Sequence, residues 1–261
     1  MILTYLIILL TGVTVGLVST IFGIGGGIIM VPLLSLILPF SHIESIATSL
    51  ATIVLVAGFN TFNFSKKNVI VWGVVPWIAV TSSFFAFISA RMSTILPENI
   101  LVIIFILFLF YFAIRTFLIR EETKLITHDS HSRLLPLGIG TISGLISGVT
   151  GIGGGGITTP MMMVTGLAKN IQAAPTSNAI MIFTAGSAAL SFALSPINLK
   201  QVFTIGYIHL DIAVILFAGS AIISRLGVSL NHKIPLYWRK TVLGLLLLLI
   251  CFRLILLLIN S

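Results

Sequence analysis

Two glycine runs are the residues of this chain best suited to binding chemistry. They read Phe22-Gly23-Ile24-Gly25-Gly26-Gly27 and Thr150-Gly151-Ile152-Gly153-Gly154-Gly155, and Pro32 and Pro160 follow them five residues on. Glycine is a poor helix former, so each run is expected to interrupt a helix. A helix that restarts there presents free N–H groups and a positive dipole end, which bind anions. The pattern predicts an anion site at Gly25, Gly26, Gly27, Gly153, Gly154 and Gly155.

The alternative interpretation of the glycines is close packing of helices through small residues. Packing requires small residues spaced along one helix face, whereas three consecutive glycines line no single face. The site interpretation is therefore favoured, and packing stays open as the second explanation.

Hydroxyl and amide side chains follow each run at matching positions and are further candidates for substrate binding. They are Thr48, Ser49, Thr176, Ser177 and Asn178. Serine and threonine hydroxyls in helices often bond to the preceding turn instead. Because a Thr-Ser pair occurs in both places, substrate binding and bonding to the preceding turn explain these residues about equally well.

The glycine runs belong to an internal duplication with an offset of 128 residues. Gly16 matches Gly144, Ser19 matches Ser147, and the register continues without gaps beyond the Thr-Ser pairs. A repeat of this length predicts two copies of one structural unit. We assign residues 1–119 to the first transmembrane repeat, 120–133 to a polar linker and 134–261 to the second repeat.

The composition is that of a membrane protein that crosses the bilayer several times. Of the 261 residues, 57% are hydrophobic and 8% are charged, against about 25% charged in soluble domains. The net charge of +8 comes from basic residues clustered between apolar runs, which indicates membrane orientation rather than nucleic-acid binding. Cys251 is the only cysteine, which excludes an internal disulfide.

The apolar segments predict an all-α fold with eight long and two short membrane segments. The long ones are 2–22, 43–64, 69–90, 99–119, 134–150, 171–194, 206–224 and 241–259. The short ones, 28–38 and 156–167, follow the glycine runs; about eleven helical residues reach roughly 16 Å, half of the hydrocarbon core. Each run is thus expected to join a long helix to a half-length helix, with the proline in or near its first turn.

The basic residues distinguish two topologies. If each short segment turns back as a hairpin, one side of the membrane holds eleven of the 14 basic residues and the other holds Arg91, Lys200 and Arg253. If each short segment completes the preceding crossing, the split is nearly even. The positive-inside rule favours the hairpins. The two repeats are then inverted, as in many secondary transporters, with residues 120–133 in the cytoplasm.

Ionisable residues are scarce in the apolar segments. His209 and Asp211 are candidates for proton coupling, although an acid in a first helical turn also suits the helix dipole. No phosphate-binding loop of ATPases and no hydrolase or metalloprotease motif is present, so we expect no cofactor, no metal site and no enzymatic activity. An intramembrane enzyme and a metal-ion permease remain as less favoured classes.

The doubled motif Gly-x-Gly-Gly-Gly-x-x-x-x-Pro, each copy followed by a Thr-Ser pair, resembles the sulfite exporter TauE/SafE family over essentially the whole chain. The resemblance implies a small permease of the bacterial inner membrane that moves sulfite, organosulfonates or related anions with an ion gradient, here expected to be protons. It implies that both motifs line the pathway. Ala47 stands where the second copy has Pro175, so the half-sites are not identical. Transport of another small organic anion, such as a carboxylate, is the alternative; oligomeric state stays open.

Overall fold

A computed structural model describes residues 2–22, 26–38, 40–118, 133–196, 203–231 and 236–260. These residues form an all-α structure with one small β-hairpin. The helices are α1 (Ile2–Phe22), α2 (Gly27–Ile37), α3 (His42–Ser65), α4 (Val75–Ser93), α5 (Glu98–Leu118), α6 (Leu134–Thr150), α7 (Gly155–Val164), α8 (Asn170–Ala193), α9 (Leu210–Asn231) and α10 (Leu236–Asn260). The hairpin pairs β1 (Thr204–Ile205) with β2 (Ile208–His209) between α8 and α9.

The ten helices correspond in order to the eight long and two short apolar segments. Two of them begin later than the sequence predicts, at Val75 and at Leu210. Before α4 the chain turns through Asn68, whose φ is 52°, and a proline occupies the first turn of the helix. Before α9 the hairpin turns at Gly206, whose φ is 56°. Apolarity alone did not reveal these turns, because both lie within apolar sequence.

The half-length helices α2 and α7 have 11 and 10 residues. Pro32 and Pro160 lie inside them, each as the sixth residue, just beyond the first turn. Proline has no N–H, so the carbonyl groups four residues earlier, those of Ile28 and Gly156, lose their usual helical donor. Both helices therefore have weakened hydrogen bonding next to their N-termini.

The long helices α3 and α8 start in the same way. Glu44 accepts the backbone N–H of Ser41 at 2.7 Å, and the Ser41 hydroxyl accepts the N–H of Glu44 at 3.3 Å, which completes a capping box. At the equivalent position Gln172 accepts the N–H of Lys169 at 3.3 Å. The internal duplication therefore extends to the caps, but the acid of the first copy is an amide in the second.

Helices α3 and α8 pack against each other and run in opposite directions. The Asn60 amide donates to the Asn178 side-chain oxygen at 3.2 Å. Val54, which precedes Asn60 in α3, approaches Gly186, which follows Asn178 in α8. Since residue numbers rise along one helix as they fall along the other, the pair is antiparallel.

The two halves exchange helices around this pair. Helix α1 of the first half packs on α9 of the second, where Gly12 meets Leu216 and Gly16 meets Ser220. Helix α6 of the second half packs on α4 of the first in the same manner. In both pairs the residue numbers advance together, so these helices are parallel. The glycines let the backbones approach closely.

Two further parallel pairs connect these helices to the central ones. Helix α4 runs with α8, because Ser82 bonds Thr184 at 2.6 Å and Arg91 donates to Ser195 at 3.2 Å. Helix α9 runs with α3, where the Phe59 and Phe217 rings lie 6.2 Å apart. Helices α1, α3 and α9 thus share one direction, and α4, α6 and α8 share the opposite one.

The helices carry apolar side chains on their outer faces. Val80 is 69% exposed and Leu107 is 63% exposed. Among the described residues, α3, α4 and α8 are long and apolar enough to cross a membrane, and the described parts of the other apolar helices are shorter. Exposed apolar faces of this kind suit a lipid environment.

Replacing Gly148 by alanine is expected to destabilise the α4–α6 contact. The new Cβ would lie 2.5 Å from the Ala90 nitrogen and 2.6 Å from the Ala86 oxygen, which are backbone atoms that cannot move aside. Overpacking of this kind costs about 1–3 kcal/mol. Thermal unfolding in detergent measures the loss. Gly138→Ala in the same helix is the control, because its Cβ meets no atom within 4 Å; equal effects would contradict close packing at Gly148.

Candidate functional site

The two glycine breaks lie against each other inside the bundle. A Cβ on Gly27 would stand 2.6 Å from the Gly151 carbonyl oxygen and 2.7 Å from the Cα of Ile152. Ile53 of α3 lies beside both breaks, 2.8 Å from a Cβ on Gly27 and also 2.8 Å from one on Gly153. The structure therefore brings the two breaks together, although they belong to copies of the repeat that are separated by 128 residues.

The breaks also need glycine for its backbone freedom. Gly151, Gly153 and Gly154 have φ values of 72°, 75° and 82°, and Gly26 has 38°. A residue with a Cβ is strained there by about 1–2 kcal/mol. Close packing and helix interruption are thus both features of these glycines. Gly25 lies outside the described residues.

The first amides of the two half-helices are buried. Gly27 and Ile28 begin α2, and Gly155 and Gly156 begin α7; all four are buried. Within the described part of the chain, none of their N–H groups makes a hydrogen bond. Buried N–H groups without a partner are rare in proteins. They are well suited to an anionic ligand, which takes several N–H donors and the positive end of a helix dipole.

Ser49 and Ser177 occupy equivalent positions in α3 and α8 but have different partners. The Ser49 hydroxyl donates to the Gly151 carbonyl at 3.1 Å and so holds the second break. The Ser177 hydroxyl is buried and has no hydrogen-bond partner in the described structure. It lies 3.4 Å from where a Cβ of Gly155 would be. Ser177 is therefore available to a ligand at the start of α7.

Thr48 and Thr176 connect the halves. The Thr48 hydroxyl accepts the backbone N–H of His209 at 3.2 Å, and the Thr176 hydroxyl accepts that of Val71 at 3.0 Å. In each case the threonine of one half holds the segment that precedes a helix of the other half. Because α3 and α8 are antiparallel, these two threonine ties lie toward opposite ends of the bundle.

A small cleft adjoins the N-terminus of α2. It is lined by Val15, Gly26, Met30, Ile53, Val56, Asn178, Met181 and Ser220. Its open space is close to that of a single water molecule. Met181 also lies against Gly155, so this side chain touches both the cleft and the start of α7. Asn178, predicted as a substrate ligand, reaches the cleft.

A cluster of buried hydroxyls surrounds the start of α7. The Ser143 hydroxyl bonds the Gly154 carbonyl at 3.2 Å and the Thr158 hydroxyl at 2.8 Å. Thr184, bonded to Ser82, brings its methyl group 3.3 Å from a Cβ on Gly154. Sequence reasoning missed these residues, because the first repeat has apolar residues in place of Ser143, Thr158 and Thr184.

His209 is buried at the opposite end of α3 from Asn60. Its Nε2 lies 3.4 Å from a carboxylate oxygen of Glu44, and its ring stacks on Phe40 with centroids 4.0 Å apart. The pair connects α3 to the hairpin before α9. Glu44 was not identified from the sequence, although its capping position was visible, because its partner lies 165 residues away.

Asp211 lies in the first turn of α9, partly exposed, and makes no hydrogen bond within the described residues. The structure does not pair it with His209. Nearby, burial and then the negative charge of Glu44 raise the pKa of Tyr207, so this phenol stays neutral at ordinary pH. Among the described residues no group of three or more His, Cys, Asp or Glu side chains is placed to hold a metal ion.

The family model described as sulfite exporter TauE/SafE matches residues 8–254. The chain belongs to this family. A match of this extent includes both glycine runs and both Thr-Ser pairs, so the motifs that carried the resemblance lie within it.

Relatives of the chain are named as membrane transporters. A "probable membrane transporter protein" of Haemophilus influenzae is 35% identical over 191 residues, which cover 69% of this chain and 68% of that protein. A second protein of that name and organism is 30% identical over 261 residues, covering 96% and 98%. One from Methanocaldococcus jannaschii is 27% identical over 235 residues, covering 87% and 86%. No solved structure matches the chain significantly. The protein is thus a membrane protein of a transporter family.

The serine pair gives a test of the site geometry. Ser49→Ala removes a donor from the buried Gly151 carbonyl and is expected to lower the free energy of unfolding by about 1 kcal/mol. Ser177→Ala removes a buried hydroxyl without a partner and is expected to be neutral or stabilising. Thermal unfolding of both variants in detergent, without added anions, makes the comparison. Equal destabilisation would show that Ser177 already has a structural partner.

Proposed function

We propose that the protein is a secondary transporter that moves a small anion across the bacterial inner membrane by alternating access. The observation that carries this proposal is the set of buried, unpaired N–H groups where the two half-helices begin. Among the described residues no acidic, histidine or cysteine side chain lies at these helix starts, whereas an anion satisfies the amides and the Ser177 hydroxyl together. Gly27, Ile28, Gly155 and Gly156 would form the centre of the site, with the breaks at Gly26, Gly153 and Gly154 beside them, and the prediction for Gly25 lies outside the described residues.

We further propose that the repeats are inverted and that each glycine break forms a hairpin. The shared direction of α1 and α3 supports this, because α2 must then return the chain to its starting side. The opposite directions of the equivalent helices α3 and α8 support inversion. The charge distribution favours a cytoplasmic position for residues 120–133, together with eleven of the 14 basic residues.

The substrate class we propose is sulfite or a related sulfur oxyanion, including organosulfonates. The family description names sulfite export, and pyramidal or tetrahedral oxyanions accept several N–H and O–H donors at once. A carboxylate is the alternative substrate. No described residues form a nucleophile and base arrangement at the glycine breaks, so catalysis in the membrane is the weakest alternative.

The threonine ties suggest how access alternates. One tie holds the end of the bundle with Thr48 and His209, and the other holds the end with Thr176 and Val71. The cleft has about the space of one water, and with both ties formed we take this state to be closed at both ends. Transport then requires each tie to open in turn, as in other inverted-repeat transporters.

Proton coupling is assigned to the end that carries His209. Glu44 holds the histidine in place, and Asp211 supplies a second acid two residues along the chain. The equivalent end has Gln172 in place of Glu44 and Val71 in place of His209, so it has no titratable pair at this tie. Coupling would therefore act at one end only.

Anion flux into liposomes that contain the purified protein tests the function. Gly155→Ala is expected to reduce sulfite or sulfonate flux by about tenfold or more, because its Cβ would press on Met181 and crowd the first amides of α7. Gly186→Ala, whose Cβ meets Val54 at an ordinary 3.8 Å, is the control. Flux of carboxylates alone would favour the alternative substrate; a chemically altered anion would favour an enzyme; no flux of any anion would contradict the proposal.

The pH dependence of flux tests the coupling assignment. His209→Gln removes the ionisable ring from this tie and is expected to flatten the dependence of flux on pH. Glu44→Gln removes the partner and should displace the profile, while Asp211→Asn should weaken flux driven by a pH gradient but keep anion exchange. Gln172→Glu at the other end is the control and should change neither. Unaltered pH profiles in all three variants would contradict proton coupling at this end of the bundle.

A further inference from the structure

The two half-sites are equivalent in position but not in chemistry. Under the 128-residue offset, Val15 matches Ser143, Met30 matches Thr158 and Val56 matches Thr184. The first residue of each pair lines the cleft at α2, and the second lies in the cluster at α7. Three apolar side chains on one side thus correspond to three hydroxyls on the other.

The half-site at α7 has the donors that an anionic group requires. Gly155 and Gly156 supply buried N–H groups without a partner in the described structure, and Ser177 supplies a buried hydroxyl without one. Ser143 and Thr158 bond to each other and to the Gly154 carbonyl, and their hydroxyls can rotate toward a ligand. An unpartnered buried hydroxyl beside unpaired amides is a polar arrangement that a ligand completes.

The half-site at α2 is suited to an apolar group. Val15, Met30, Ile53, Val56 and Met181 surround the cleft there, and the two polar side chains that also line it, Asn178 and Ser220, donate to the Ala174 and Gly12 carbonyls. Together with the Gly27 and Ile28 amides, these side chains supply fewer free donors than the amides and hydroxyls at α7, so a charged group is satisfied less completely in this place. Methionine is unbranched and flexible, and two methionines let the cleft adapt to groups of different shape.

The half-sites are contiguous. Met181 lines the cleft and also lies against Gly155 at the start of α7. Its counterpart Ile53 lines the cleft and lies against Gly27 and Gly153. A small molecule that displaces Met181 can therefore contact both half-sites at once.

We infer that the substrate is an anion with a short apolar substituent, bound in one orientation. Its charged group lies at the α7 amides with Ser177, Ser143 and Thr158, and its substituent lies in the α2 cleft. This inference rests on the proposed anion transport. It assigns Val15, Met30 and Val56 as the residues that select for the substituent, and it predicts that a bare inorganic anion leaves their half-site unfilled.

A homologous ligand series tests the inference. Methanesulfonate, ethanesulfonate and 1-propanesulfonate share one head group, and their affinities are measured with the purified protein by competition or thermal shift, with sulfite for comparison. Burial of one methylene corresponds to an affinity gain of about fourfold, so affinity is expected to rise by this factor at each step until the cleft is full. The sulfonates should bind more tightly than sulfite.

The repeats themselves provide the variants. Met30→Thr and Val56→Thr copy the second half-site into the first and should abolish the dependence on chain length while keeping binding of the head group. Thr158→Met, the reverse change, should weaken all members of the series by a similar factor. Val80→Thr on the exposed face of α4 is the matched control and should leave the series unchanged.

The outcomes separate the two proposals. If no anion binds or is transported by the unaltered protein, the proposed function fails. If anions bind with no gain along the series, or if the gain persists in Met30→Thr and Val56→Thr, the orientation and the apolar half-site are wrong while anion transport stands. A gain that is lost only in these two variants supports the inference.

Discussion

The structure depends on one constraint, which is that peptide groups at the depth of a membrane need hydrogen-bond partners. A broken helix exposes such groups, and lipid offers nothing to bond them. Here each break is placed against the other, and Ile53 and Ser49 fill and bond the space between them. What stays unpaired is a small set of amides at the helix starts. The unpaired amides at the breaks therefore destabilise the fold, and the same amides are suited to bind an anion.

Much of the fold followed from apolar segment length and from the duplication. All ten helices were expected, because length and apolarity are strong signals for membrane helices. The turns before α4 and α9 were not, since Asn68 and Gly206 lie in sequence that is otherwise continuous and apolar. The half-helices begin one residue earlier than predicted, at Gly27 and Gly155, because a sequence does not show which glycine of a run begins the helix.

The candidate site was predicted less completely, because comparing the two repeats reveals only the residues that they share. Residues that are the same in both halves attract notice, and Gly27, Ser49 and Ser177 were predicted in this way. Ser143, Thr158 and Thr184 were missed because they differ from their counterparts. Thr48 and Thr176 were expected to face a ligand, yet their hydroxyls accept backbone N–H groups across the halves. Such long-range partners cannot be read from local spacing.

The exchange of helices between the halves has a consequence for biogenesis. Helices α1 and α4 each find a main packing surface on α9 and α6, which the ribosome makes later. A nascent chain that has emerged only as far as α5 therefore holds its first helices in the bilayer without those surfaces. Assembly must wait until the second copy has been inserted. A gene split at the linker would yield two fragments that need each other to acquire a native core.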